Sequence, residues 1–191
     1  MMTLCFAAAL LLVGTNASAQ LSVGAGYLNS SEKTQAKNVE KADLNGFYAG
    51  AHYNVPLVAG LGVAPGLYVD MLFGKQEANN YTELALNVPV NLNYSFVLGR
   101  DTKVFVYAGP VFQYGLLSRT KASASVGSSE TVNNYENFRK PFNIYLGGGA
   151  GIDVAGLQVI LGYDHSLMNF ARSSDASIGR SQIKIGVGYA F

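Results

Sequence analysis

Apolar and polar residues alternate along most of the chain, and the last thirteen residues alternate most regularly. On one face of this stretch lie Ser181 and then five apolar residues: Ile183, Ile185, Val187, Tyr189 and Phe191. The residues between them are polar or small, and side chains of a β-strand point alternately to its two faces. The pattern therefore predicts a final strand with one apolar face.

Seven earlier segments show the same two-residue period, so the sequence predicts eight strands. The predicted strands cover residues of about 20–29, 45–55, 61–74, 82–97, 103–117, 141–154, 157–167 and 179–191. Their connections are alternately long and short, and the long ones lie at about 30–43, 75–81, 118–140 and 168–178. Such alternation and an even strand number are typical of membrane barrels, in which closure leaves no unpaired edge. The predicted fold is all-β, an eight-stranded antiparallel up-and-down transmembrane β-barrel.

The first nineteen residues resemble a secretory signal rather than part of the barrel. An apolar run from Leu4 to Val13 is followed by Ala17, Ser18 and Ala19, a small-residue cleavage site. Cys5, the only cysteine, lies inside this segment, so the exported chain has no disulfide framework. We expect residues 1–19 to be a cleaved signal peptide and residues 20–191 to form the barrel.

The composition agrees with a chain that has little surface in water. Charged residues make up 13% of the chain, against about 25% in a typical soluble domain. The net charge of +1 indicates neither nucleic-acid binding nor a strongly basic surface. Outside the signal segment there is no apolar run of about 18 residues, the length that a membrane-spanning helix needs.

A soluble, secreted barrel of the lipocalin kind is an alternative, since it would point its apolar face inward to a ligand. The other face would then be exposed to water, yet the predicted strands carry only seven charges, all on that face. These charges are Asp70, Glu83, Lys103, Asp153, Asp164, Arg180 and Lys184. Seven charges among many glycines suit a narrow lumen better than a hydrated exterior. With four acids and three bases, we expect an internally paired plug, and a narrow pore for ions or small solutes is the alternative.

The predicted strand order brings some of these charges close together. Asp164, Arg180 and Lys184 lie on the last two strands, which are antiparallel neighbours, so we expect a buried ion-pair cluster. Lys103 and Asp153 lie near the turn end of neighbouring strands and are expected to pair likewise. Pairing would avoid leaving an unpaired charge buried, which is costly.

Aromatic residues of the apolar face concentrate at the two ends of the predicted strands. Near the long loops lie Tyr27, Phe47, Phe73, Phe112, Tyr114, Phe142 and Tyr163. Near the short turns lie Tyr53, Tyr94, Phe96, Tyr189 and Phe191. Aromatic girdles on both sides of an aliphatic band are what two membrane interfaces favour.

The final strand also resembles the C-terminal signal of bacterial outer-membrane barrels. Lys184, Gly186, Tyr189 and Phe191 occupy the places of its polar residue, its glycine and its two final hydrophobic residues. The region from 20 to 191 is similar to small outer-membrane proteins of the OmpX and OmpA type and, more loosely, to porin-family or PorT-like barrel domains. This resemblance implies a monomer in the outer membrane of a Gram-negative bacterium, inserted by the barrel assembly machinery and surrounded by lipid and lipopolysaccharide.

The residues offer little support for catalysis. His52 is predicted to face the lumen and His165 the outside, and the adjacent Ser166 must point away from His165. There is no cysteine pair, close histidine pair or carboxylate-rich calcium loop. Gly147 to Gly149 lack the Lys-Ser/Thr pair of a phosphate-binding loop. We therefore expect no enzyme activity and no catalytic, cofactor-binding or metal site.

The long loops are the expected place of function, since loops carry binding residues on rigid scaffolds. The loop at 118–140 carries most of the candidate contacts for lipopolysaccharide or a surface partner: Arg119, Lys121, Tyr135, Phe138, Arg139 and Lys140. We expect a role in envelope structure, adhesion or surface interaction.

Overall fold

The computed structural model describes residues 20–35, 39–76, 79–122, 131–137, 139–171 and 177–191. The proposed signal segment 1–19 and Phe138 lie outside these ranges. The elements are β1 (Gln20–Gln35), β2 (Val39–Val58), β3 (Leu61–Gln76), β4 (Asn79–Val97), β5 (Thr102–Ala122), β6 (Thr131–Asn133), α1 (Asn134–Asn137), β7 (Phe142–Val154), β8 (Leu157–Ser166) and β9 (Ser177–Ala190). No helix in the described part of the chain has the length and apolar character needed to cross a membrane.

Eight of the strands form a closed antiparallel barrel. Each pairs with its neighbours in chain order, and β1 closes the ring by pairing with β9 as well as with β2. Tyr27, for example, lies opposite Phe47 on one side and Ile185 on the other. The additional strand β6 pairs only with the far end of β5. The prediction of an eight-stranded up-and-down barrel is confirmed.

The apolar face of every barrel strand points outward. On β1, Leu21 is 45% exposed whereas Ser22 is 2% exposed, and on β9 Val187 is 59% exposed between buried glycines. A soluble barrel would bury this face, because exposed apolar area is unfavourable in water. The alternative of a soluble, lipocalin-like barrel is therefore wrong.

The strands extend further at the loop end, the end with the long connections, than the sequence pattern predicted. The predicted loops at 30–43 and 75–81 are mostly continuations of β1 with β2 and of β3 with β4. β5 likewise continues through the predicted loop 118–140 to Ala122. The apolar alternation stops earlier because these extensions have polar residues on their outer face, such as Ser31, Lys33 and Asp43. More charged residues therefore lie on strands than the seven that the sequence pattern predicts, including Glu32 on β1 and Arg119 on β5.

The prolines inside β3 and β4, Pro65 and Pro89, leave the register of the strands unchanged. Pairing between β3 and β4 is interrupted after Pro65 and resumes at Tyr68 in the same register. Register shifts occur instead at the end of β2, between Pro56 and Val58, and in β4, where Leu84 lies opposite Leu117 but Ala85 lies opposite Gly115. A proline has no backbone N–H to donate to the neighbouring strand. At Pro65 and Pro89 the pairing on either side keeps its register, so no residue is inserted as a bulge.

Candidate functional site

Arg180 lies across the lumen at the loop end of the barrel. Its side chain is completely buried, and its Nη1 and Nη2 atoms donate to the two carboxylate oxygens of Glu83 at 2.6 and 2.8 Å. Its Nε atom donates to Glu32 at 2.8 Å. Arg180 is on β9 and Glu83 on β4, which are four strands apart in either direction around the ring. The pair therefore spans the full width of the barrel.

Arg139 completes this cluster from the segment that follows α1. Its two terminal nitrogens donate to the carboxylate of Glu32 at 2.8 and 2.7 Å, and Nη1 also donates to the Tyr81 hydroxyl at 3.0 Å. We call Glu32, Glu83, Arg139 and Arg180 the upper cluster. Its two acids and two bases balance in charge, as buried ionic groups require.

Glu32 and Arg139 lie beyond the membrane-spanning part of the barrel. On the outer face of β1, the residues beside Glu32 are the polar Ser31 and Lys33, and Arg139 lies in a connection between strands. Burial favours the neutral form of Glu32, but the guanidinium groups of Arg180 and Arg139 outweigh burial and hold the pKa of this carboxyl at about 2. Burial acts to lower the pKa of Arg139, yet Glu32 keeps it above its usual range.

A layer of hydrogen-bonded and aromatic side chains lies next to the upper cluster. The Tyr145 hydroxyl donates to Gln113, and the amide of Gln113 donates to Asn87, each at 3.0 Å. Phe170 packs its ring against the guanidinium of Arg180, 4.8 Å from the ring centroid. Phe170 belongs to the predicted loop at 168–178, so part of that loop folds into the barrel mouth.

Lys184 forms a second charged group with Asp70 and Asp164, which we call the lower cluster. The Lys184 Nζ atom is 2.9 Å from Asp164 and 3.5 Å from Asp70, and it lies over the Tyr48 ring at 5.8 Å. Asp70 is completely buried. This cluster contains two acids and one base, unlike the balanced upper cluster.

The structure divides the charges that the sequence grouped together. Lys184 pairs with Asp164 as expected, but Arg180 pairs with Glu32 and Glu83 instead of Asp164. Glu32 was missed because its segment was assigned to a loop. The only signal in the sequence is that Leu28, Ser30 and Glu32 continue the two-residue spacing of the β1 residues that face the lumen.

The expected ion pair at the turn end, the end with the short connections, is not formed. Lys103 lies opposite Asp153 in register but is exposed. The Asp153 carboxylate instead accepts hydrogen bonds from the Gly156 backbone N–H and the Gln158 side chain, both at 3.0 Å. These neutral donors satisfy the carboxylate, so the expectation of a Lys103–Asp153 pair is wrong.

Two neighbouring cavities lie in the lumen below the upper cluster. The first, of about 100 Å³, begins at Lys184 and Asp164, and the second, of about 260 Å³, lies at the turn end among Gln20, Pro56 and Gly60. His52, Asn93 and Phe105 line both cavities. The lumen is thus filled with paired side chains at the loop end and hollow towards the turn end.

Glycines of neighbouring strands leave room for the large lumen side chains. A Cβ atom on Gly186 would meet the Tyr48 ring, and one on Gly162 would lie 2.6 Å from the Tyr107 hydroxyl. Tyr68 lies against Gly50 in the same way. The tyrosine rings can therefore lie along the barrel wall rather than across the lumen.

The two histidines make separate hydrogen bonds, and neither forms a catalytic triad within the described residues. His52 Nδ1 is 2.7 Å from the Tyr68 hydroxyl inside the lumen, and His165 Nδ1 is 2.9 Å from Ser181 Oγ on the outer surface. Ser166 points inward, and its Oγ accepts a hydrogen bond from the Arg180 backbone N–H. Across the ranges that the structure describes, no group of three His, Cys, Asp or Glu residues is placed to hold a metal ion.

The predicted girdle residues all lie on the outer face of the barrel. Tyr27 packs edge-on against Phe47 near the loop end, and Tyr94 packs edge-on against Phe96 near the turn end. The remaining outward girdle residues are Tyr53, Phe73, Phe112, Tyr114, Phe142 and Tyr163. In the C-terminal pattern, Tyr189 and Phe191 face outward as an edge-on pair, while Lys184 and Gly186 face the lumen.

Solved structures with similar folds are small outer-membrane barrels. Ail, the attachment invasion locus protein of Yersinia pestis, matches with a TM-score of 0.54 and 14% identity over 91% of this chain and 99% of that one. Neisserial surface protein A matches with a TM-score of 0.48 and 15% identity over 93% and 100% of the chains. The outer-membrane enzyme PagL matches with a TM-score of 0.45 and 13% identity over 85% and 98%.

At 14% identity the similarity to Ail shows the fold alone, and no curated protein matches the chain in sequence. The family model of the outer membrane protein beta-barrel domain matches residues 13–172. This match covers most of the barrel, and the outward apolar face and closed antiparallel ring agree with it. The chain belongs to the outer-membrane β-barrel protein family and is an integral protein of the outer membrane.

Proposed function

We propose that this protein is a closed, non-enzymatic barrel that anchors its loop end at the cell surface, where it serves envelope structure, adhesion or interaction. The observation that carries the proposal is the bidentate pair between Arg180 and Glu83, which spans the lumen from β9 to β4. A permeating ion or solute would have to displace this pair.

The surroundings of the pair support closure. Glu32 and Arg139 hold Arg180 and Glu83 in a charge-balanced group, and Tyr145 and Phe170 fill the adjacent space. Opening the lumen would leave several buried charges without partners, at a cost of about 3–5 kcal/mol for each broken pair. The cavities nearer the turn end form a recess rather than a continuous channel. This arrangement favours a plug over the alternative of a narrow pore.

The absence of enzyme activity is also part of the proposal, because similar barrels include an enzyme. The pair of His165 and Ser181 is the best candidate for a nucleophile and its base. Among the described residues no carboxylate is hydrogen-bonded to His165, and a triad needs a third group that orients the histidine. The geometry therefore supports binding or structure rather than acyl transfer.

The exposed basic residues at the loop end support contact with lipopolysaccharide or another anionic surface partner. Lys33, Arg119 and Lys140 are exposed there. Arg139, expected to be one of the loop contacts, belongs to the upper cluster instead, and Tyr135 is buried against Gly115. The side chain of Lys121 lies outside the described part of the chain. Phosphate groups would be recognised by these lysine and arginine side chains through charge.

The proposal includes export and insertion, supported by the apolar segment 1–19 and the alternating final strand. We propose cleavage after Ala19, which would leave Gln20 as the first residue of β1, and recognition of the final strand by the barrel assembly machinery. Intact-mass measurement of the protein from outer membranes tests the cleavage. A mass that begins at Gln20 is expected, and a retained 1–19 segment would contradict it.

Proteoliposome swelling tests closure to small solutes. The folded chain, identified by its altered gel migration without heating, is reconstituted and transferred to an isotonic solution of a small sugar or amino acid. We expect no swelling beyond that of protein-free liposomes. Rapid swelling that increases with the protein-to-lipid ratio would favour the pore and contradict the proposal.

A further inference from the structure

The first lumen cavity, between Lys184 and the turn end, has the properties of a binding site. It is lined by aromatic rings from three strands, Tyr48 on β2, Tyr68 on β3, and Phe105 and Tyr107 on β5. Because these rings lie along the glycine-rich wall, the centre stays open. The cavity of about 100 Å³ has room for a compound of roughly seven non-hydrogen atoms, taking about one water per 10–15 Å³.

The charge at one end of this cavity is not balanced. Asp164 and Lys184 line the cavity, and Asp70 contacts Lys184 behind them, so the lower cluster carries two acids and one base. The upper cluster, by contrast, is neutral. An uncompensated carboxylate in a low-dielectric lumen is unfavourable unless it takes up a proton or a further positive charge approaches it. A positively charged ligand in the cavity would supply this charge.

A buried polar atom without a partner also lines the cavity. The Oδ1 atom of Asn91 accepts no hydrogen bond among the described residues. Because this atom is an acceptor, a ligand with a donor group would complete it.

We propose that this cavity binds a small organic ammonium compound that enters from the turn end. The excess of acids over bases in the lower cluster and the surrounding faces of Tyr48, Tyr68, Phe105 and Tyr107 fit this class. Aromatic rings attract a desolvated ammonium group through their negative faces. A bare metal ion would fit less well, because the walls offer rings and amides rather than several carboxylate oxygens. The second cavity provides the path through His52, Asn93 and Phe105.

Calorimetric titration of the folded full chain in a non-ionic maltoside detergent tests the proposal. The probes are choline and 3,3-dimethylbutan-1-ol, a neutral compound of nearly the same shape. We expect choline to bind at least about tenfold more tightly than the alcohol, since only choline gains the charge and cation–π interactions. Equal affinities, or no detectable choline binding, would overturn the proposal.

Two variants test whether choline binds in this cavity. They also show whether the position of the removed charge matters, rather than the net charge of the protein. Asp164→Asn leaves Lys184 balanced by Asp70 alone but keeps the aromatic rings, so the preference for choline should fall several-fold. Asp101→Asn removes the same charge from an exposed position at the turn end, and choline binding should stay unchanged. If Asp164→Asn fails to fold, Phe105→Leu provides a second test, with an expected fall of several-fold in choline affinity. Choline binding that is unaffected in folded Asp164→Asn, or in Phe105→Leu where that variant replaces it, would place the site elsewhere and overturn the proposal.

Discussion

The Arg180 guanidinium and the Glu83 carboxylate form a bidentate pair, with donor–acceptor distances of 2.6 and 2.8 Å, between opposite strands of the barrel. Both side chains are completely buried. Planar, two-point pairing fixes the relative position of the strands as well as neutralising both charges. The same pair therefore stabilises the folded barrel and blocks its lumen.

Replacing Arg180 with Met should destabilise the folded barrel by about 3–5 kcal/mol, because Glu83 would remain buried without its main partner. Urea unfolding of the protein in lipid vesicles, followed by gel migration without heating, measures the change. The double variant Arg180→Met with Glu83→Gln removes both charges and should recover a large part of the loss. A single variant as stable as the wild type would show that the pair contributes little.

Acid should weaken the upper cluster through Glu32. Its folded-state pKa of about 2 lies below the ordinary value of 4.5, so its contribution is fully present above pH 4.5 and is lost as the pH falls towards 2. The contribution is on the order of 3 kcal/mol, at about 1.4 kcal/mol per pKa unit. Unfolding free energies measured across this pH window should fall less steeply in Glu32→Gln than in the wild type. Identical slopes would argue against a lowered pKa.

Gly162 should be sensitive to substitution because of one neighbour, the Tyr107 hydroxyl. A Cβ at this position would lie 2.6 Å from that oxygen and at least 3.7 Å from other atoms. Gly162→Ala should therefore cost about 1–3 kcal/mol by overpacking, and less when Tyr107→Phe removes the oxygen. Gly148→Ala, on the outer face, is the matched control with a small expected effect. A double-mutant cycle of unfolding free energies with no coupling would contradict this packing.

Phe191 should matter more for assembly in cells than for folded stability. Its side chain is 71% exposed and packs on Tyr189, while its backbone N–H donates to Leu21. Deleting Phe191 should reduce the heat-modifiable protein in outer membranes several-fold, yet leave refolding into detergent nearly unchanged. Phe96→Ala removes a similar exposed aromatic from the turn end and should assemble normally. Equal assembly of both variants would argue against the C-terminal pattern as the assembly signal.

The sequence predicted the parts of the fold that depend on a two-residue period. Each barrel strand and its outward face followed from residues such as Val187 and Leu86, because lipid selects apolar side chains on that face alone. The strand extensions above the membrane were missed, since water on the outer face of Ser31 and Lys33 removes the apolar signal. Glu32 was missed with them.

Pairing inside the lumen could be predicted only between neighbouring strands. Lys184 and Asp164 lie on adjacent strands and were grouped correctly. The contact of Arg180 with Glu83 crosses the barrel and depends on the diameter and stagger of the closed ring. No local pattern in the sequence predicts these quantities. The position of Arg139 in the barrel mouth likewise depends on a distant contact, its bridge to Ala171.

Planar-bilayer recording of the refolded wild-type barrel tests closure most directly. The sample is the species with altered gel migration before heating, so that only folded barrels are counted. Closure by Arg180 and Glu83 predicts no steady conductance above that of the bare bilayer. A steady conductance that changes in Arg180→Ala or Lys184→Ala would contradict closure and make the lumen an ion pathway.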